Sequence, residues 1–228
     1  QSHYDSMADG MSHTLFEAEA RDYFTRLVRS YPLSGSERVL DFGCGLGFVS
    51  VQVARQAGQL CFWDYSESML AAAGERLAGF PNAASVSLDQ PGEAMPGDFD
   101  LIIVNSVIQY MSTEDLAGWL ERWREMLKAD GRLLISDIIL PQSSFLGESR
   151  DTLRFAAQEG FLIKTLVQDF AQYFWYLMTR SQATMLRYAV DDLAAMARKA
   201  GLEPAVLDEN LTYKQMRYTL ELRPSEGA

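Results

Sequence analysis

Cysteine and histidine are scarce in this sequence of 228 residues, which contains two of each. Cys44 and Cys61 are too few for the disulfide framework of a secreted domain, and they fit the reducing cytoplasm. Neither the histidines nor the cysteines have the spacing of a tetrahedral metal site. We therefore expect a cytoplasmic protein without a bound metal.

Long apolar runs and an excess of basic residues are missing as well. No stretch approaches the roughly 18 consecutive apolar residues of a membrane span, and the first residues lack the basic-then-apolar pattern of a secretory signal. The formal net charge of −11 opposes binding to a phosphate backbone, which attracts Lys and Arg. The expected partner is a small-molecule substrate, with no nucleic acid and no membrane, and a homodimer is left open.

What the sequence contains is an alternation of short apolar runs and longer amphipathic segments, which is typical of a parallel sheet flanked by helices. Strands are predicted at residues 38–42, 60–64, 84–88, 99–105, 132–138, 204–208 and 213–222. Helices are predicted at residues 14–29, 46–57, 66–78, 113–128, 147–158, 162–179 and 191–200. We expect a single domain, 1–228, with an N-terminal helical flap at 1–31 and a helical lid at 141–189.

The most informative segment is the glycine loop after the first predicted strand. Gly43, Gly45 and Gly47 allow positive φ angles and let a ligand approach the backbone without obstruction by a Cβ atom. A dinucleotide fingerprint would need Gly or Ala at the position of Phe48. The spacing therefore argues against a nicotinamide-dependent oxidoreductase, which we keep as an alternative together with an inactive binding protein.

The order Asp-x-Gly-x-Gly-x-Gly from Asp41 to Gly47 resembles the first motif of class I S-adenosylmethionine-dependent methyltransferases. In that family the loop cradles the amino-acid end of the cofactor. Asp64 ends the second predicted strand, about 20 residues beyond the loop, where Rossmann-like folds bind ribose hydroxyls. The segment Asn105-Ser106-Val107-Ile108-Gln109-Tyr110 resembles the family's fourth motif.

The resemblance implies an α/β, Rossmann-like methyltransferase fold with a mostly parallel seven-stranded sheet, an antiparallel last strand and a helical insertion after the fifth strand. It also implies S-adenosylmethionine as cofactor. The implied cofactor contacts are Tyr4, Asp41, Gly43, Cys44, Gly45, Asp64, Tyr65, Met69, Asp89, Gln90, Asn105 and Tyr110.

Three residues are candidates for a catalytic role: His13, Gln109 and Tyr188. Family members that act on hydroxyl groups often have a His near the end of the fourth strand, where this sequence has Gln109 and Tyr110. This departure leaves proximity-driven transfer to N, O or C open. The aromatic residues Tyr173, Trp175 and Tyr176 of the predicted lid are expected to contact a hydrophobic or aromatic metabolite.

Overall fold

The strands and helices come from three parts of the chain. The computed structural model describes residues 13–88, 96–160 and 185–225, without the side chains of residues 13–15, 145 and 146. The strands are β1 (Arg38–Phe42), β2 (Gln59–Trp63), β3 (Ala83–Ser85), β4 (Phe99–Asn105), β5 (Leu127–Ile139), β6 (Leu202–Val206) and β7 (Arg217–Pro224). The α-helices are α1 (His13–Ser30), α2 (Phe48–Ala54), α3 (Glu67–Leu77), α4 (Thr113–Met126), α5 (Phe145–Gln158) and α6 (Val190–Lys199).

These strands form one mixed sheet in the order β3-β2-β1-β4-β5-β7-β6. Neighbouring strands from β3 to β5 are parallel, whereas β7 is antiparallel to both β5 and β6. The predicted Rossmann-like fold with an antiparallel last strand is thereby confirmed. The strand order reverses between β1 and β4, and open α/β sheets bind ligands beyond the carboxyl ends of the strands at such a switch point.

Two predicted boundaries differ from the structure for reasons that concern the site. Helix α2 begins at Phe48 rather than at residue 46, because Gly47 has a left-handed backbone with φ of 77°. Strand β7 begins at Arg217 rather than at residue 213. Residues 207–216 connect β6 to β7, and this loop lies at the carboxyl edge because β6 runs parallel to the central strands.

Helices cover both faces of the sheet and bury its central strands. Leu101, Ile102, Ile103 and Val104 of β4 have no exposed surface, as expected for a parallel strand covered on both sides. One face packs against α1, α2 and α3, and the other packs against α4 and α6. None of the helices in the described ranges combines the length and apolar character needed to cross a bilayer.

Helix α1, the described part of the predicted flap, belongs to the core. Its residues Tyr23, Phe24 and Leu27 are buried against the sheet. The hydroxyl groups of Tyr23 and Ser136 are hydrogen-bonded at 3.0 Å, which fixes the helix over β5. Residues 1–12 of the flap lie outside the described residues.

A β-bulge in β5 brings an ionic network to the carboxyl edge. The pairing of β5 with β7 shifts register between Ile135 and Ile138, and Asp137 within this bulge has a φ of 63°. Asp137 accepts hydrogen bonds from Ser106 and Arg217. Arg217 also forms a bidentate pair with Glu148 of α5, at 3.2 and 3.0 Å. Bulges commonly redirect a side chain beside a functional site.

We predict that Arg217→Met lowers the free energy of unfolding by about 3 kcal/mol, because it removes the cation that is hydrogen-bonded to the buried Asp137 carboxylate. The matched control is Arg26→Met, since Arg26 pairs with Asp22 and Glu209 near the surface and should contribute about 1 kcal/mol or less. Chemical denaturation of both variants measures the difference. Equal losses would contradict the assignment of the buried network as the stronger one.

Candidate active site

The glycine loop lies at the carboxyl end of β1 and is held by the end of β2. The backbone N–H groups of Gly43 and Cys44 both donate to the carbonyl of Trp63, at 2.8 and 3.0 Å. Gly43, Gly45 and Gly47 all have positive φ angles. The loop is therefore a fixed turn whose conformation only glycine adopts without strain.

The glycines of this loop differ in what surrounds them. A Cβ atom at Gly43 would overlap Val107 Cγ2, and one at Gly47 would lie 3.0 Å from Ala73 Cα. A Cβ atom at Gly45 would have no heavy atom within 4 Å. Packing therefore explains the outer glycines, whereas Gly45 exposes its backbone to open space.

Phe48 shows why the loop does not fit a dinucleotide fingerprint. Its ring stacks on Phe16 of α1, with centroids 5.9 Å apart, and the Arg76 guanidinium lies 4.0 Å from the centroid of the Phe48 ring. Arg76 also donates to the carbonyl of Leu46. A large aromatic residue thus joins α1 and α3 to the loop at a position where the dinucleotide motif needs a small one.

The Asp64 carboxylate bridges the glycine loop and the start of α3. Its Oδ2 accepts the Gly45 N–H at 2.8 Å, and its Oδ1 accepts the Ser66 N–H at 2.9 Å. Ser66 itself caps α3 by accepting the Met69 N–H. The role of Asp64 is therefore not limited to an acidic residue at the start of this helix. A carboxylate has about four lone-pair sites, and this partly exposed group retains one on each oxygen for a neighbouring pair of hydroxyls.

Asp41 lies beneath the loop and is only 3% exposed. Its Oδ2 accepts the Ser50 hydroxyl at 2.5 Å. Burial, together with the charge of Asp64, raises the pKa of Asp41 to about 6, while the Ser50 hydrogen bond opposes the shift. The structure thus makes Asp41 a buried charge under the loop with Ser50 as its partner, and its direct contact with a cofactor stays a prediction.

The remaining described residues of the implied cofactor set also lie at the carboxyl edge. Tyr65 follows Asp64 and is 82% exposed, and Met69 lies in the first turn of α3. Asn105 ends β4, and its Oδ1 accepts the Ser136 hydroxyl at 3.0 Å. Cys44 is buried, and burial raises the pKa of its thiol, so it acts as a small filler.

Other predicted site residues lie outside the described residues: Tyr4, Asp89, Gln90, Tyr173, Trp175, Tyr176 and the side chain of His13. His13 was expected to precede the first helix, but its backbone is already helical. Tyr110 is described, and it is 48% exposed in the short 3-10 turn Ile108–Tyr110 after β4.

The structure places Gln109 and Tyr188, two of the predicted catalytic residues, in buried positions. Gln109 is 3% exposed and Tyr188 is 7% exposed, and Tyr188 belongs to the core between the sheet and α4. The backbone carbonyl of Gln109 accepts the Leu186 N–H, and the Tyr188 N–H donates to the Ile139 carbonyl. Both residues thereby fasten the chain after residue 184, and their catalytic roles stay predictions.

Sequence reasoning missed a group of polar residues at the same edge, which we call the edge cluster: Glu19, Asp137, Glu148, Tyr213, Lys214 and Arg217. They come from α1, β5, α5, the β6–β7 loop and β7. One signal was available, because Asp137 is the lone charge in the apolar run 133–140. A cavity of about 440 Å³ borders three of them, Tyr213, Lys214 and Arg217.

Comparison with known proteins supports the expected family. Residues 40–133 match the family described as "Methyltransferase domain", a range that runs from β1 to β5 and includes the glycine loop, Asp64 and Asn105. This match supports the expected class I S-adenosylmethionine-dependent methyltransferase family and its cofactor.

Several curated methyltransferases resemble this chain. The malonyl-[acyl-carrier protein] O-methyltransferase of Magnetococcus marinus is 30% identical over 127 residues, which are 54% of this chain and 46% of that protein. The ubiquinone biosynthesis O-methyltransferase of Xylella fastidiosa is 27% identical over 183 residues, 77% of this chain and 68% of that protein. The chain thus spans about half the length of the first relative and two thirds of the second.

Several solved structures of methyltransferases share the fold of this chain. The magnesium protoporphyrin IX methyltransferase of Synechocystis PCC 6803, crystallised with bound S-adenosylhomocysteine, has a TM-score of 0.61 at 19% identity, over 95% of this chain and 90% of that one. The calicheamicin biosynthesis methyltransferase CalO1 has a TM-score of 0.58 at 18% identity, over 90% of this chain and 54% of that one.

We predict that Gly45→Ala weakens binding of S-adenosylhomocysteine at least about tenfold, because the added methyl group occupies the open space beside the loop. The variant should still fold, at a cost of about 1–2 kcal/mol for a left-handed alanine. Gly47→Ala is the matched control: its methyl group would meet the Ala73 backbone at 3.0 Å, so it should lose more stability. Calorimetric binding and thermal unfolding measure the two effects, and wild-type affinity in folded Gly45→Ala would contradict the prediction.

We predict that Asp41 makes the free protein more stable as the pH falls from about 8 to about 5. Its pKa is about 6 in the folded protein and close to 4 in the unfolded chain, so the folded state holds a proton that the unfolded state has released. This contribution, at most about 3 kcal/mol, is lost as the pH rises through the folded pKa. Denaturation at both pH values should show a smaller change in Asp41→Asn, and an unchanged difference would refute the assignment.

Proposed function

We propose that this protein transfers the methyl group of S-adenosylmethionine to a hydroxyl group of a small organic molecule. The observation that carries the proposal is the open backbone at Gly45 beside the Asp64 carboxylate. A packing turn would have no need of the space in front of Gly45. The two relatives described above are named O-methyltransferases, which supports oxygen as the acceptor atom.

The described residues suit the two ends of the cofactor. The open backbone at Gly45 suits the amino-acid end, and the free lone pairs of Asp64 suit the paired ribose hydroxyls. The buried charge of Asp41 favours a cation above the loop. The chemistry that S-adenosylmethionine would supply here is a methyl group already activated by its sulfonium.

With the methyl group activated in this way, the chain mainly has to position the acceptor. Holding two reactants in a near-attack geometry supplies roughly 7–11 kcal/mol without a covalent catalyst. The acceptor would enter beyond the ends of β4 and β5, next to Tyr110 and the edge cluster. The polar groups there suit an acceptor that carries a hydroxyl group, and the predicted aromatic contacts from Tyr173, Trp175 and Tyr176 would hold its apolar part.

The alternatives have less support. Phe48 occupies the position at which a nicotinamide enzyme would need a small residue, and its packing against Phe16 fills that space. An inactive binding protein would not require both Gly45 and Asp64. A nucleic-acid acceptor is opposed by the net charge of −11.

We predict that S-adenosylhomocysteine and S-adenosylmethionine raise the melting temperature of the protein. At 100 times its dissociation constant a ligand adds about 2.7 kcal/mol to stability. A melting scan with each of these ligands and with NAD tests the proposal. Stabilisation by NAD, with none by the two adenosyl ligands, would overturn it.

A further inference from the structure

Glu19 lies on α1 between two residues that fix the position of this helix over the sheet. Phe16, three residues earlier, stacks on Phe48 beside the glycine loop. Tyr23, four residues later, is hydrogen-bonded to Ser136, whose hydroxyl donates to Asn105. Residues three and four apart share one face of a helix. Glu19 therefore faces the carboxyl edge between the glycine loop and the ends of β4 and β5.

Tyr213 is hydrogen-bonded to the Glu19 carboxyl group. Its hydroxyl donates to Glu19 Oε1 at 2.7 Å. The Tyr213 ring is itself fixed by stacking on Phe155 of α5, with centroids 4.3 Å apart and an interplanar angle of 7°. In the described part of the chain no hydrogen bond to Glu19 Oε2 is formed. One oxygen of Glu19 is thus oriented by a fixed phenol, and the other keeps its capacity to accept a proton.

The charged groups that face Glu19 come from three further elements. They are Lys214 of the β6–β7 loop, Asp137 of β5 and Arg217 of β7. Arg217 is engaged by Asp137 and Glu148. Lys214 Nζ lies 3.9 Å from Asp137 Oδ2, which is longer than a hydrogen bond, so its ammonium group retains donors for a ligand.

The surroundings of Glu19 shift its pKa. Burial raises the pKa of Glu19, while the charge of Lys214 and the Tyr213 hydrogen bond oppose the shift. A carboxylate with a raised pKa is a stronger base than an exposed one, and a base works best when its pKa approaches the working pH.

We propose that Glu19 accepts the proton of the acceptor hydroxyl group, with Tyr213 as a positioning residue and Lys214 as the cation beside the developing oxyanion. This assignment rests on the proposed function. The acceptor O–H bond breaks and the proton binds Glu19 Oε2, while the electron pair stays on the acceptor oxygen. That oxygen bonds to the methyl carbon as the carbon–sulfur bond breaks, and the electron pair of that bond stays on sulfur.

The proposal narrows the acceptor class and explains a departure from the family. Phenols, enols and other weakly acidic hydroxyl groups benefit from a carboxylate base and a nearby ammonium group. A base on α1 would also take the place of the His that related enzymes have near the end of β4.

If Glu19 accepts this proton, its carboxylate lies near the transferred methyl group, and this placement has a consequence that needs no acceptor. The carboxylate attracts the cationic sulfonium of S-adenosylmethionine and not the neutral thioether of S-adenosylhomocysteine. Asp41 and Asp64 contribute to the ratio of the two dissociation constants as well, so the change in this ratio on substitution of Glu19 reports the charge of Glu19. General damage to the site would weaken binding of both ligands together and leave this ratio unchanged.

The experiment measures both dissociation constants by calorimetry at about pH 8 for the wild type, Glu19→Gln, Tyr213→Phe and Asp22→Asn. Asp22 is the matched control, because it lies on the same helix and pairs with Arg26. We expect Glu19→Gln to keep its affinity for S-adenosylhomocysteine within about twofold and to lose at least about fivefold of its preference for S-adenosylmethionine. Tyr213→Phe should lose part of the preference, and Asp22→Asn none.

An unchanged preference in Glu19→Gln would overturn the assignment of Glu19, as would an equal loss of affinity for both ligands. If the wild type bound neither ligand, the proposed function itself would fail, and that result is distinct from both. Once an acceptor is turned over, loss of the acidic limb of the pH–rate profile in Glu19→Gln gives further support.

Discussion

The parallel register of β1 with its two neighbours is the constraint on which the site depends. Phe42, the last residue of β1, pairs with Trp63 of β2 and with Val104 of β4. The glycine loop, Asp64 and Asn105 therefore begin within a residue of one another along the strand direction, although they are far apart in sequence. Hydrogen bonds from the loop to Trp63 and Asp64 then hold these chain segments together.

The two sides of this site have different electrostatics. On the β2 side, the charges of two partly or fully buried carboxylates, Asp41 and Asp64, interact. Neither forms an ion pair with another described residue, and this setting favours a cationic ligand. On the β5 side, acids and bases are interleaved in the edge cluster, and most of their charges are paired. Glu19 stands between the two sides, because α1 crosses from the glycine loop to the bulge in β5.

Patterns that are local in sequence could be predicted. The alternation of apolar runs and amphipathic segments indicated the sheet and its helices, and β1 and β4 have the predicted bounds. The spacing from Asp41 to Phe48 indicated the family, since a glycine loop works through the backbone of a few consecutive residues. Asp64 could be predicted as a site residue for the same reason, because it directly follows a strand.

The edge cluster could not be predicted, because its members approach one another only through the sheet order β4-β5-β7 and the crossing of α1. Glu19 and Tyr213 are separated by 194 positions, and no spacing rule connects such residues. The burial of Gln109 and Tyr188 could not be predicted for the same reason, because it depends on the chain that follows residue 184. The sequence by itself determined the fold class, the family and the half of the site built from short motifs at strand ends. Tertiary structure alone decided which charged side chains meet on the other half, because long-range packing sets their distances.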